Sequence, residues 1–201
     1  MTTTREDHPL LPNTFYTTAL ETWVAEIQRL SSEAEQCFLK MVEHYKVLSD
    51  MEHEFLVVYA SHPSGSEIVL GVDRNAQGSG GSRGTLVHAR SLSPSSSKKE
   101  SPHPAYDRVQ VSHDGTPVPI LAHHGPHVSL HTITFSPTSP LTASTSTPTS
   151  SNSDARRLPS PLHLSALLVT IRTRFPSYAL LQYQCYFFAR ATCLALMDLF
   201  V

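Results

Sequence analysis

The sequence has few cysteines and few charged residues, and each shortage excludes a class of protein. The three cysteines, Cys37, Cys185 and Cys193, form no Cys-x-x-Cys motif. We therefore expect neither a disulfide framework nor a cysteine-based zinc motif, and an odd, sparse set fits a reducing compartment. Charged residues make up 16% of the 201 residues and the formal net charge is −2. Such a weak global charge argues against nucleic acid as a partner.

The sequence also lacks a long apolar run. The C-terminal stretch 185–201 is the most apolar, but Arg190 and Asp198 interrupt it. It is also shorter than the roughly 20 apolar residues that a membrane span requires. The first residues mix acids with Arg5 and contain no apolar core of a secretory signal. We expect no membrane span and an intracellular, cytoplasmic location.

Serine, threonine, proline and glycine are abundant instead, and they concentrate in two tracts. From Ser136 to Ser153, 15 of 18 residues are Ser, Thr or Pro. A segment of that composition buries too little apolar surface to offset its ordering entropy. Composition predicts a disordered N-terminus over 1–13 and a single domain over 14–201. Flexible segments 75–104 and 136–159 interrupt that domain.

The N-terminal part of the domain has apolar residues at three- and four-residue steps from Leu20 to Val47. This spacing predicts one long amphipathic helix. Its apolar stripe is expected to pack on the domain itself, and a protein partner bound through this helix is the alternative.

Strand-like segments follow this helix. Runs rich in β-branched and aromatic residues lie at 53–60, 67–74, 106–111, 117–121 and 127–135. Two helices close the chain, one stopping before Pro176 and one within 177–200. The predicted class is α+β, with a long N-terminal helix, about five mainly antiparallel strands and two C-terminal helices.

A histidine cluster spans His123 to His131 and suggests a metal site, since imidazole is a common ligand. Gly125-Pro126 breaks any helix there, and on a strand His127 and His131 would be roughly 13 Å apart. Ligands about 2 Å from one zinc ion cannot span that distance. We expect no structural metal in this cluster, and the composition indicates no cofactor.

Cys185 and His53 are the two residues whose types and positions best suit nucleophilic catalysis. A cysteine nucleophile needs a lowered pKa, which the first turn of a helix promotes. It also needs an imidazole held rigidly within reach, as at the head of a buried strand. Both requirements have candidates here, with His53 beginning the first strand and Cys185 near the last helix. The residues leave the third, orienting group open among Asp107, His113 and His131.

The run Tyr-x-Leu-Leu-x-x-x-Cys-x-x-Phe-Ala, which ends at Ala189, resembles a segment of circularly permuted papain-like proteins. These include relatives of lecithin retinol acyltransferase and the desumoylating peptidases, in which a strand-borne histidine precedes a cysteine at the start of a helix. Most of the chain from His44 onward also resembles a set of uncharacterised proteins common in mushroom-forming fungi. The matching motifs are His53–Leu56, Val72–Arg74, Asp107–Val109 and Gln184–Ala189. Gln184 departs from the asparagine that the permuted enzymes favour before the cysteine.

This resemblance implies a cysteine-dependent hydrolase or acyltransferase of unknown substrate. Cys185 would be the nucleophile, His53 the general base, and Gln182 or Gln184 an oxyanion donor. The alternative is an inactive relative of the same fold that serves as an intracellular interaction module. In that case, phosphorylation of Ser-Pro and Thr-Pro sites in the two flexible segments would regulate binding.

Limited proteolysis tests the domain boundaries. We expect the earliest cuts within 75–104 and 136–159, because proteases cleave segments that make few packing contacts. Mass spectrometry of the first fragments would locate the cuts. Early cleavage elsewhere, with both tracts intact, would contradict the assignment.

Overall fold

The computed structural model describes residues 15–48, 53–76, 103–136, 158–178 and 185–201, which form an α+β fold. The strands are β1 (Tyr16–Ala19), β2 (Phe38–Val47), β3 (Glu54–Ser61), β4 (Glu67–Ala76), β5 (His103–Ser112), β6 (His127–Thr134) and β7 (Ser177–Tyr178). The helices are α1 (Leu20–Arg29), α2 (Ser31–Gln36), α3 (Val118–His124), α4 (Pro161–Arg174) and α5 (Cys185–Phe200). Six strands form an antiparallel sheet in the order β1-β5-β4-β3-β2-β6, and β7 pairs with the beginning of β5.

One face of the sheet is covered by the helices α1, α2, α4 and α5. Their apolar sides pack on alternate residues of the central strands, including Leu56 on β3 and Val72 on β4. The residues that suggested a partner-binding helix, such as Trp23 and Ile27, lie within this core. Their burial accounts for the amphipathic pattern at the start of the chain.

The opposite face carries a smaller core beneath α3. Phe55, Val57 and Val69 contact Ile120 of that helix. Gly71 permits the close approach, because a Cβ there would lie 2.7 Å from the Ile120 Cγ2 atom. Helix α3 therefore lies directly on the centre of the sheet and places the residues at its C-terminal end beside β3 and β4.

The single long N-terminal helix predicted from the sequence is wrong. The helical region divides at Leu30 and ends at Gln36, and the remainder is strand β2. A β-bulge between Leu39 and Met41 inserts one residue into the alternation of β2. Leu39 and Val42, three residues apart, consequently both enter the helix-covered core. This step imitates helical spacing within a strand.

The predicted segment 117–121 is also not a strand. Pro117 precedes α3, and a proline in the first helical turn is compatible with a helix because its missing N–H needs no partner there. The strand predictions at 53–60, 67–74, 106–111 and 127–135 correspond to β3, β4, β5 and β6. The expected count of about five strands is too low, because β1 and β2 were not recognised.

Several sequence-based expectations concern residues outside the described ranges. They include the N-terminal tail and most of the two Ser/Pro/Gly-rich segments. The predicted flexible segment 75–104 is partly strand at its two ends, because β4 continues to Ala76 and β5 begins at His103. Within the described ranges, no helix has both the length and the apolar content needed to cross a membrane.

Two ion pairs cross between the central strands β4 and β5. The Arg74 guanidinium donates to both carboxylate oxygens of Asp107, at 2.7 and 2.9 Å, and both side chains are fully buried. Asp73 accepts two hydrogen bonds from Arg108, at 2.9 and 2.5 Å. Because neighbouring residues of a strand point to opposite faces, the two pairs lie on opposite sides of the sheet.

The Arg74 pair also joins the sheet to the helical layer. Arg74 donates a hydrogen bond of 2.8 Å to the Phe175 carbonyl, just after α4. Its guanidinium carbon lies 4.6 Å from the ring centroid of Phe188 on α5. One buried side chain thus contacts β5, the end of α4 and the first turns of α5.

Replacing Arg74 with methionine should lower the free energy of unfolding by about 3–5 kcal/mol, because Asp107 would keep its buried charge without its bidentate partner. Urea denaturation would measure the loss. The double variant Arg74→Met/Asp107→Leu should recover much of it, since no unpaired charge remains.

The matched control is Arg29→Met, which breaks the exposed pair with Glu26. It should cost less than about 1 kcal/mol. Equal losses in the two single variants would show that the buried pair is not a main support of the fold.

Candidate active site

The structure brings Cys185 and His53 together from distant parts of the chain. Cys185 is the first residue of α5, and His53 immediately precedes β3. Glu54, the residue after His53, donates its backbone N–H to the Cys185 sulfur at 3.4 Å, and the His53 and Cys185 side chains lie close enough for each to shift the pKa of the other. Helix α5 packs across β3 and β4, so the tertiary packing of these elements sets the contact.

Asp73 of β4 is the third member of this arrangement. Its Oδ2 atom lies 3.5 Å from His53 Nε2, a looser contact than a full hydrogen bond. Catalytic hydrogen bonds are often long when no substrate is bound. Asp73 is only 2% exposed, and Arg108 holds both of its oxygens. The carboxylate is therefore fixed in place beside the imidazole.

The three groups perturb one another's ionisation. Burial acts to lower the pKa of His53, but its contacts with Asp73 and Cys185 outweigh burial and raise the pKa to about 9. Burial raises the pKa of the Cys185 thiol, yet His53 and nearby backbone N–H groups lower it overall. Burial also disfavours the charged form of Asp73, and its contacts with His53 and Arg108 nevertheless hold its pKa well below the usual range. The shifts of Cys185, His53 and Asp73 each favour the charged form of the group.

Backbone groups surround the sulfur of Cys185. The Glu54 N–H points at Sγ from 3.4 Å, and the Tyr186 N–H also favours the thiolate. The Glu54 side chain accepts a 2.7 Å hydrogen bond from His44 Nε2, and this anchors the start of β3. The first N–H groups of a helix have no intrahelical partner and carry partial positive charge, which further stabilises an anion there.

The other two cysteines have a different environment. All three thiols are buried, but Cys37 and Cys193 lie within the apolar helix-side core, whereas Cys185 does not. Burial raises the pKa of Cys37 to about 11 and that of Cys193 to about 12. Cys193 lies on the same helix as Cys185 but in its interior, so membership of the helix does not by itself lower the pKa of a thiol.

None of the three orienting residues considered from the sequence lies next to His53. Asp107 binds Arg74 on the helix-covered face, His113 follows the far end of β5, and His131 pairs with His44 in the register of β2 and β6. Gln182 and Gln184, the expected oxyanion donors, lie outside the described residues.

The sequence reasoning missed Asp73, although a signal was present. Asp73 and Arg74 interrupt a strand that is otherwise apolar and predicted to be covered on both faces. A charged pair in such a strand must find buried partners, because unpaired charge is costly there. The pattern predicts a partnered acid but does not say which histidine it contacts.

His124 at the end of α3 adjoins the same carboxylate. Its ring stacks on Phe55 with centroids 3.8 Å apart. Its Nε2 atom lies 3.9 Å from Asp73 Oδ2 and forms no hydrogen bond. Burial lowers the pKa of His124 to about 3, so this imidazole is neutral at neutral pH.

Comparisons with protein-family models, curated proteins and solved structures gave no match to this chain.

Iodoacetamide should alkylate Cys185 in the folded chain at pH 7 and leave Cys37 and Cys193 unmodified. The thiolate is the reactive form, and only Cys185 has a lowered pKa. Peptide mapping by mass spectrometry would measure the three rates within one sample. Similar rates at Cys185 and Cys193 in the folded state would contradict this account of the site.

Proposed function

We propose that this protein is a cysteine-dependent acyl-transfer enzyme, a hydrolase or acyltransferase of the permuted papain-like type. The observation that carries the proposal is the grouping of Cys185, His53 and Asp73: the residue after His53 donates its backbone N–H to the Cys185 sulfur, and Asp73 lies 3.5 Å from the His53 imidazole. A nucleophile, a base and a group that orients the base are the parts that covalent acyl transfer requires.

The first half-reaction follows from the positions of these groups. The Cys185 thiolate attacks the carbonyl carbon of the substrate, and the carbonyl oxygen gains negative charge. N–H groups at the start of α5 are suited to stabilise this charge. As the tetrahedral intermediate collapses, the bond to the leaving group breaks. The His53 imidazolium protonates that group, and a thioester on Cys185 remains.

The second half-reaction returns the enzyme to its starting state. Neutral His53 removes a proton from water, or from an acceptor alcohol or amine, and the resulting nucleophile attacks the thioester. The acyl group leaves as an acid or as a new ester or amide, and the Cys185 sulfur departs as thiolate. Water makes the protein a hydrolase, whereas another acceptor makes it an acyltransferase.

Asp73 orients the imidazole during both steps. Its contact is with Nε2 of His53, at 3.5 Å, so the other ring nitrogen remains available to exchange a proton with the thiol. Arg108 neutralises and fixes the carboxylate. Asp73 therefore stabilises the imidazolium and is held away from the reacting carbonyl, as the orienting member of a catalytic triad must be.

The arrangement along the chain supports the permuted papain-like type. His53 immediately precedes β3, which comes well before the Cys185 helix in the chain, and that helix packs across the antiparallel sheet. This order, histidine before cysteine, is the one that the resemblance in the sequence implies.

A chromogenic ester tests the acyl-transfer step without knowledge of the natural substrate. With p-nitrophenyl acetate, the wild-type chain should release a burst of p-nitrophenol and gain one acetyl group on Cys185, located by mass spectrometry. Cys185→Ala should abolish the burst, because the thioester cannot form. Cys193→Ala is the matched control from the same helix and should retain it.

His53→Gln should lower the acylation rate at pH 7 by about 30-fold, because a thiol with an ordinary pKa is only a few per cent ionised. Circular dichroism would check that each variant is folded. If folded wild-type protein gains no acetyl group, or gains it equally without His53, the enzyme proposal is wrong. The interaction-module hypothesis would then take its place.

A further inference from the structure

His124 lies beside the candidate active site but has no role in the proposed acyl transfer. His124 has a side chain that is 5% exposed, and its Nε2 atom has no hydrogen-bond partner. Buried polar atoms without partners are rare, and each calls for an explanation such as a bound water or ion. This atom faces Asp73 and not the solvent.

The unpartnered atom belongs to a compact set of three potential metal ligands. One ring nitrogen of His53, one ring nitrogen of His124 and a carboxylate oxygen of Asp73 all lie within 4.8 Å of one another. Two of the separations are 3.5 and 3.9 Å, both measured from Asp73 Oδ2. Separations of this size are close to those between neighbouring ligands of one zinc ion, whose bonds to nitrogen and oxygen are roughly 2.0–2.2 Å long.

We propose that His53, Asp73 and His124 form a reversible binding site for a divalent ion of the zinc type, with Cys185 outside the ligand set. Two imidazoles and one carboxylate suit zinc, and solvent would supply the fourth ligand. The set differs from the His123–His131 cluster considered in the sequence, because only His124 is shared. The fold brings the other two ligands from β4 and from the residue before β3.

Arg108 limits the strength of this site. Its guanidinium already binds both oxygens of Asp73, so an incoming cation meets a positive neighbour at close range. The ion also replaces any proton on Nε2 of His53, which is released to solvent. These costs favour a weak, exchangeable ion and exclude the permanent structural zinc that organises small domains.

Occupancy would switch off the proposed acyl transfer, and this consequence rests on the proposed function. With the ion on Nε2, His53 keeps a single proton on Nδ1. Donating that proton to a leaving group would create an imidazolate, which is far less favourable than returning from imidazolium to neutral imidazole. The ion would thus inhibit the enzyme by binding Nε2 of the general base, His53.

Zinc titration of the full chain tests the site directly, with a chromogenic chelator as competitor. We expect one competitive zinc per chain in the wild-type protein and in Cys185→Ala. His124→Asn should bind at least about tenfold more weakly, because it loses a direct ligand. His123→Asn is the matched control, since this exposed neighbour on α3 is outside the ligand set, and it should bind like the wild type.

Cobalt(II) absorption on the wild-type chain provides a test that needs no variant. A site of two imidazoles and a carboxylate gives no thiolate-to-cobalt charge-transfer band, whereas binding through Cys185 gives one. Absence of binding in the wild type, a thiolate band, loss of zinc in Cys185→Ala, or equal affinity in His124→Asn would each overturn the proposal. If His124→Asn fails to fold, His124→Gln replaces it, and the cobalt spectrum decides if both fail.

The binding result is independent of the acylation result. If p-nitrophenyl acetate does not acylate the protein but zinc binds as expected, the proposed enzyme fails and the metal site stands. If acylation occurs and zinc does not bind, only the metal site is lost.

Discussion

The two ion pairs between β4 and β5 are the interactions on which the rest of the structure depends. Asp73–Arg108 and Arg74–Asp107 lie side by side in the register but face opposite sides of the sheet. The Arg74 pair contacts Phe175 and Phe188 and so sets where α4 and α5 lie. The Asp73 pair supports the histidines on the other face. Buried charges have few acceptable geometries. The two adjacent ion pairs therefore constrain the packing on both faces of the sheet.

The candidate site depends on both ion pairs, because the Arg74 pair contacts α5, which carries Cys185, and the Asp73 pair holds the acid beside His53. Helix α5 begins at Cys185 and places its thiol against the first residues of β3. Asp73 reaches His53 from the neighbouring strand. A thiol on a helix, a base beside one strand and an acid on the next strand belong to three separately packed elements. Their relative positions are therefore as rigid as the core between them, which is what proton sharing over a few ångströms requires.

The α+β class and most of the central strands could be predicted from the sequence, because apolar and β-branched runs report local burial. The region 20–47 shows where that reasoning fails. The bulge at Leu39–Met41 gives β2 the three-residue step of a helix, and only pairing with β3 and β6 makes it a strand. The segment 117–121 was predicted to be a strand, whereas Pro117 caps α3 and Pro119 lies in its first turn. In both cases the local pattern fits two structures, and long-range packing decides between them.

For the site, the sequence by itself determined the ingredients: a histidine at the head of a strand, a cysteine near a helix start, and an acid–arginine pair within an apolar strand. From the sequence Asp107 was a candidate for the orienting acid and Asp73 was not, although both stand in similar Asp-Arg dipeptides. The tertiary structure decided which acid faces His53, through the registers of β3 with β4 and of β4 with β5. A shift of one residue would reverse the faces of every side chain on a strand. Register depends on contacts between residues far apart in the chain, and no local pattern contains them.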